Sequence, residues 1–261
     1  MGTVMLAVLM IGGPAAYAAL GVVLCRRRLR GRVREGHNEV LVGIFLNAGV
    51  LFAVLLAFMV IAVWESYETA KSTVATEAAT LVTLYRTTYG LPPETGDKLR
   101  SMARDYAKAV VEDEWPTQAA TREGSSVARK AIGSMFRAFG DSTISSDVKK
   151  ANPFICQAFM TAVTEVTAAR NQRNIQAHES LPWVMWLAAI GGAFIVISMS
   201  CYLYMEAQRP HVLMAAAMAA LIGTLLFTCQ IMNHPFRGPL AIHPEPFETT
   251  LRVFQEVDRG N

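Results

Sequence analysis

Charged residues are missing from four long tracts of the chain: Thr3 to Cys25, Val40 to Trp64, Leu181 to Met205, and Val212 to Asn233. Each tract exceeds 20 residues. As a helix rising ~1.5 Å per residue, each would cross the ~30 Å hydrocarbon core of a bilayer. A single Asp, Lys or Arg at mid-membrane costs about 2.5–3.5 kcal/mol. A helix inside a soluble protein is seldom uncharged on every face for so long. The pattern therefore predicts four transmembrane helices. Ala16-Tyr17-Ala18 has the look of a signal-peptidase site, but no basic residue precedes the first tract and arginines follow it. The expectation is a retained span.

Between the second and third tracts the apolar positions change to helical spacing with polar residues between them. Val74, Leu81, Leu84 and Tyr85 share one face. Leu99, Met102, Tyr106 and Val110 share another, on a helix expected to stop at Glu112-Asp113-Glu114-Trp115-Pro116, where the proline lacks a donor. Ile132, Met135, Phe136 and Phe139 mark a third helix, and Asn152-Pro153 opens a fourth carrying Ile155, Phe159, Val163 and Val166. No period-two strand stands out. The fold expected is all-α: a polytopic membrane protein with four transmembrane helices and a helical domain inserted between the second and third. Its segments are a first transmembrane hairpin (1–64), the inter-span domain (65–180), a second hairpin (181–233) and a Pro/Gly-rich tail (234–261).

In lipid, helices associate where small residues let backbones approach. Gly49, Ala53 and Ala57 form such a stripe on the second span, Ala188 and Gly192 on the third, and Ala215, Ala219 and Gly223 on the fourth. Gly12-Gly13-Pro14 is a kink site on the first. Asn47 is the most polar group deep in a span. It lines a pore or makes an interhelical hydrogen bond, and the second is the commoner use. Thr224, Thr228 and Ser198 are expected to bond back to their own helices. Trp64, Tyr67, Trp183, Trp186, Tyr202 and Tyr204 sit where rings favour the headgroup level.

Composition adds limits. Hydrophobic residues make up 52% and charged residues 17%, against about 25% charged in soluble domains. A net charge of +3 is too small to imply nucleic acid. Arg26, Arg27, Arg28, Arg30, Arg32 and Arg34 crowd one short loop, and such loops stay cytoplasmic. The inter-span domain and both termini are then expected outside, although Arg170 and Arg173 before the third span weigh mildly the other way. The spans lack the ionisable residues that proton-coupled carriers and voltage sensors need. Cys25, Cys156, Cys201 and Cys229 read as small buried thiols. His211, His234 and His243 are irregularly spaced, and no nucleophile, metal or phosphate-loop motif occurs. No catalytic residue, cofactor or metal is expected, and an enzyme is the least favoured class. Glu112, Asp113 and Glu114 read as a solvated face. Trp115 and Pro116, with Trp64 and Glu65, read as a junction between domain and membrane. Pro235-Phe236-Arg237-Gly238-Pro239 reads as a fixed non-helical turn, part of a pore mouth or packed on the inter-span domain.

Several segments in order resemble one family. They are Trp64-Glu65-Ser66-Tyr67, Glu77-Ala78 leading to Leu84-Tyr85-Arg86, and Tyr106 leading to Glu114-Trp115-Pro116. Further along come Leu181-Pro182-Trp183-Val184-Met185-Trp186, His234-Pro235-Phe236-Arg237-Gly238-Pro239 and Pro244-Glu245-Pro246-Phe247. Together they resemble the prokaryotic bestrophin-like membrane domain family. That resemblance implies kinship with bestrophins, pentameric anion channels whose helical domain is cytosolic. The side of the membrane it implies is opposite to the one the arginines give, and the arginines weigh more. The functional expectation is a homo-oligomeric channel for small anions in a bacterial inner membrane, with Asn47, Gly49, Ala53 and Ala57 at the pore or helix contacts. The alternative is a non-transporting scaffold or sensor whose helical domain binds a protein partner.

Overall fold

The structure is a computed structural model and describes residues 2–29, 37–138 and 153–260. Arg30, Arg32, Arg34, Phe139 and Asn152 lie outside the described residues. The described chain is all-α, with no strand among the described residues. α1 runs through Thr3–Ala7, a π-helical turn Val8–Gly12, and Gly13–Leu29. α2 is one helix of 51 residues, His37–Thr87. α3 (Pro93–Ala109) passes through a π-helical turn, Val110–Glu114, into α4 (Trp115–Thr121). α5 (Ser126–Ala138), α6 (Pro153–His178), α7 (Trp183–Tyr202), α8 (Gln208–Met232) and α9 (Glu245–Arg259) follow. Four of these helices are long and apolar enough to cross a membrane: α1, α2, α7 and α8. The protein is a polytopic membrane protein, and its chain forms two compact units: Met1–Glu65 with Ser180–Asn233, and Ser66–Glu179 with His234–Asn261.

In the membrane unit the closest approaches are made by glycine. A Cβ on Gly223 of α8 would collide with the Met10 carbonyl oxygen and lie 3.0 Å from the Ile11 Cα. Met10 is the residue whose carbonyl Pro14, four positions on, cannot serve in an α-helix, and the helix widens there into the π turn. One on Gly21 would meet the Cys201 Sγ at 2.7 Å, and one on Gly192 the Phe52 ring at 2.6 Å. Ala215 and Ala219 are buried beside Gly223, as the small-residue stripe predicts. Ala188 is exposed instead. The buried face of α7 falls one residue further on, through Ala189, Ala193, Val196 and Ile197.

Polar groups in this unit are satisfied locally. Ser198, Thr224 and Thr228 bond to the carbonyls of Phe194, Ala220 and Thr224. The Tyr17 hydroxyl meets the Ser198 hydroxyl at 2.8 Å. On the arginine-loop side, Arg26 donates to the Met205 and Glu206 carbonyls. The Asn38 amide pairs with both backbone groups of Tyr204. Asn233 accepts from the Leu181 N–H.

The second unit is a helical bundle with an aromatic and aliphatic core. Val74, Leu81, Leu84, Tyr85, Leu99, Tyr106, Val110, Phe159, Val163 and Val166 are all buried in it. Pro116 does not stop the helix. It sits in the first turn of α4, where a missing N–H is harmless, and the π turn just before it absorbs the mismatch. Arg122, in the left-handed conformation (φ 68°), closes α4 instead. The tail is not only a turn: after the non-helical segment 233–244, α9 lays Phe247, Thr250 and Phe254 into the same core.

Candidate functional site

The unusual feature of the second unit is a cluster of fully buried charges. Phe159, Val163 and Val166 of α6 face the core, and the same four-three spacing continues to Arg170, Arg173 and Ala177. Two arginines therefore enter the interior on an apolar face. Glu77 from α2 meets Arg173 through its Oε2 at 2.7 Å from the Nε. The Tyr106 hydroxyl of α3 donates to Glu77 Oε1 at 2.6 Å. Arg173 also donates to the Gln118 Oε1 at 2.9 Å and lies 3.6 Å from Glu114. Glu114 takes a second cation, Arg170, at 3.0 Å, and Arg170 caps the Ser125 carbonyl.

Glu77, Glu114 and Arg173 have no exposed surface and Arg170 is 4% exposed. Two carboxylates and two guanidinium groups balance, which is the condition under which buried charges persist. Burial works against the Arg173 cation, but Glu77 and Glu114 outweigh it and raise its pKa above the ordinary arginine value. Burial, followed by the Glu77 charge, pushes the Tyr106 hydroxyl well up, so it remains a neutral donor. Asp113 bonds to the Ser125 hydroxyl. The acidic run is thus no simple solvated face: the π turn carries Glu114 inward as an ion-pair partner while Glu112 stays near the surface. Arg170 and Arg173, weighed above as free positive charge, are neutralised inside the domain.

Trp115 links this cluster to the tail. The Arg173 guanidinium lies 5.0 Å from the centre of its ring. Its indole N–H donates to the Ile242 carbonyl at 3.0 Å, and the Phe236 and Phe247 rings flank it at 6.0 and 5.9 Å. Trp115, Pro235 and Phe236 are buried while Pro116 is exposed. The turn at 235–239 therefore packs on the helical domain. Trp64 and Glu65, at the end of the second tract, are exposed. A second clasp holds α9: Tyr85 and Tyr89 donate to Asp258 at 2.7 and 2.8 Å. Arg104 pairs with the same carboxylate, and Phe254 stacks on Tyr85 at 3.9 Å.

On the second span, Phe52, Leu56, Met59 and Val63 are buried. Asn47, Ala53 and Ala57 are exposed and Gly49 is half-buried. Asn47 donates to the Gly43 carbonyl of its own helix at 2.8 Å, so its hydrogen bond is intrahelical. A Cβ on Gly49 would touch nothing. His211 bonds the Ser200 carbonyl, and no group of three or more metal-ligating residues occurs among the described residues.

The family model for the Bestrophin-like domain matches residues 12–247. The chain belongs to the bestrophin-like family. Solved structures agree on the bestrophin-like fold. Two crystal structures of mutants of a bacterial bestrophin homologue from Klebsiella pneumoniae superpose with TM-scores of 0.73 and 0.72 at 12% and 13% identity, each covering 94% of this chain and 98% of the other. A crystal structure described as a membrane protein gives 0.71 at 12% identity over 94% and 97%. No curated protein matches. In this bestrophin-like chain the segments named above for their resemblance to the family hold Glu77, Tyr106, Glu114, Trp115 and Phe236, all of them in the buried cluster or against it. The arginines that complete it lie outside those segments. Their signal was the continuation of an apolar helical face through two basic residues, which are almost never buried unless paired.

Proposed function

We propose that this bestrophin-like protein is the subunit of a homo-oligomeric ion channel in a bacterial inner membrane, with α2 facing a shared axis. The observation that carries this reading is the exposure of the second span. Its buried positions form one narrow face, while Leu51, Val54 and Phe58 are at least half exposed beside Asn47. By helical periodicity Asn47 lies roughly opposite the buried face, whereas the small-residue stripe runs round the helix from Gly49, about 50° from that face, through Ala53 at about 90° to Ala57 at about 130°. The two groups then take different roles: Asn47 lines the axis, and the small-residue stripe meets the neighbouring copy. The buried charge cluster serves as a clamp holding the extramembrane length of α2 against α3, α4 and α6.

Kinship with bestrophins points to a small inorganic ion, and the sign of that ion is set by the charge of the lining. The test is flux from proteoliposomes holding the purified full chain. Channel function predicts conduction that collapses a potassium, sodium, chloride or nitrate gradient. Silence across all of them removes the channel and favours the scaffold or sensor, which predicts instead a protein complex surviving mild extraction.

A further inference from the structure

A pocket of about 490 Å³ opens in the extramembrane unit where α3 begins and α9 ends. Small-ligand sites fall in this size range. Tyr89, Leu91 and Pro93 line it, together with Arg100 and Arg104, one helical turn apart on α3, and with Asp97 and Asp258. Two cations four residues apart on a helix repel each other, so their convergence calls for countercharge. Arg104 finds it in Asp258, and donates to the Tyr85 hydroxyl at 2.6 Å as well. Both contacts use Nη2, which leaves the Nη1 and Nε donors over.

Arg100 is matched less well. Its side chain is 13% exposed, yet the carboxylate it pairs with, Asp97, is 71% exposed, and an ion pair reaching into solvent contributes little. Its other contacts are neutral: the Thr88 hydroxyl at 3.3 Å and the Tyr89 ring, whose centre lies 4.3 Å from the guanidinium carbon. The backbone is shaped to keep it there. A Cβ on Gly96 would lie 2.9 Å from the Thr88 carbonyl oxygen and 3.2 Å from the Arg100 Nη1, so the glycine leaves room for the guanidinium. A cation withdrawn from water is stabilised by an anion at the same depth, and the pocket that Arg100 lines is where one fits.

We propose that this pocket binds a small organic monocarboxylate, with its carboxylate on Arg100 and Arg104 and its apolar body against Leu91, Pro93 and Tyr89. The planar guanidinium fork matches a carboxylate. Two guanidinium groups and two carboxylates already balance in the lining, so one added negative charge suits it better than the two of a phosphate monoester. The apolar part of the lining selects an organic acid over an inorganic anion, which would leave it uncovered. The proposal is independent of whether the protein conducts ions.

Benzoate and its neutral near-isostere benzamide are suitable probes. Each is brought to equilibrium by dialysis against the purified full chain and against Arg100→Gln protein at equal detergent, so that uptake by the micelle cancels. Benzoate should bind the parent protein saturably at a single site per chain, and Arg100→Gln should weaken it about tenfold or more. Benzamide should show no difference between the two proteins. Competition on the parent protein requires no variant to fold: acetate, which lacks the apolar body, and inorganic phosphate should each displace labelled benzoate only at about tenfold higher concentration than unlabelled benzoate does. Absence of saturable benzoate binding, equal binding of benzamide, or binding unmoved in folded Arg100→Gln protein would overturn the proposal. Displacement by acetate or phosphate as readily as by benzoate would overturn it too, leaving only an unselective anion site.

Discussion

The two units of this chain solve the same packing problem with opposite chemistry. Where lipid is the solvent, side-chain burial gives little driving force, and the helices come together by omitting side chains: Gly223 admits the Met10 carbonyl, Gly21 the Cys201 thiol and Gly192 the Phe52 ring. Where water is the solvent, the helices bury large rings, and in their midst two carboxylates paired with two guanidinium groups. The first strategy tolerates no added atoms. The second tolerates no missing partner.

The comparison breaks hardest at the buried arginine. Arg173→Met leaves Glu77 and Glu114 without their shared cation, and it should cost about 3–5 kcal/mol, read as a large fall in thermal unfolding temperature. Glu77→Leu added to Arg173→Met should recover part of that loss, because the orphaned carboxylate is gone. If the double variant is no better than the single, the cluster's cost does not lie in unpaired charge. Next comes Gly223→Ala, a single methyl group driven at backbone. It should cost about 1–3 kcal/mol, with the loss seen in the membrane helices by hydrogen exchange while the Arg173 region stays protected. Uniform loss would mean that the two units do not unfold separately.

The smallest effect is expected at the α9 clasp. Burial pushes the Asp258 carboxyl up, but the Tyr85 and Tyr89 hydroxyls and then Arg104 outweigh it and hold the pKa below the usual carboxylate range. An unfolded Asp titrates near ~3.9. The contribution is therefore complete above that pH and is lost as the pH falls through the lower folded value. Solvent screening keeps it under about 1 kcal/mol. The protection of the α9 amides, after correction for the intrinsic pH dependence of exchange, should fall below about pH 4, and Asp258→Asn should flatten that dependence.

The spans were legible because a bilayer imposes length and excludes charge, and these rules act on composition alone. The helical faces of the inter-span domain were legible through the spacing of Leu81, Leu84, Leu99 and Tyr106. Other features were decided by tertiary context. The helix through Pro116 survives because a π turn supplies the missing slack. The inward aim of Glu114 depends on the rotation that the same turn imposes. α9 was visible in principle, since Phe247, Thr250 and Phe254 repeat at helical spacing, but the prolines ahead of it drew the reading toward a turn. The arginines of the cluster were visible as a break in an apolar pattern and were weighed only as topology signals.

Both π turns share an address. Val8–Gly12 ends two positions before Pro14, and Val110–Glu114 ends two positions before Pro116. A widened turn holds one residue more than an α turn over the same axial height, so each acts as a rotational offset. Deleting one residue from Val110–Glu114 would restore α winding with the flanks in register, whereas winding the same five residues as ordinary α-helix would swing the residues upstream and downstream out of phase by about 100°. Either the indole or the core tyrosine one element earlier would then face water. Winding at these two places is as much a part of the design as identity.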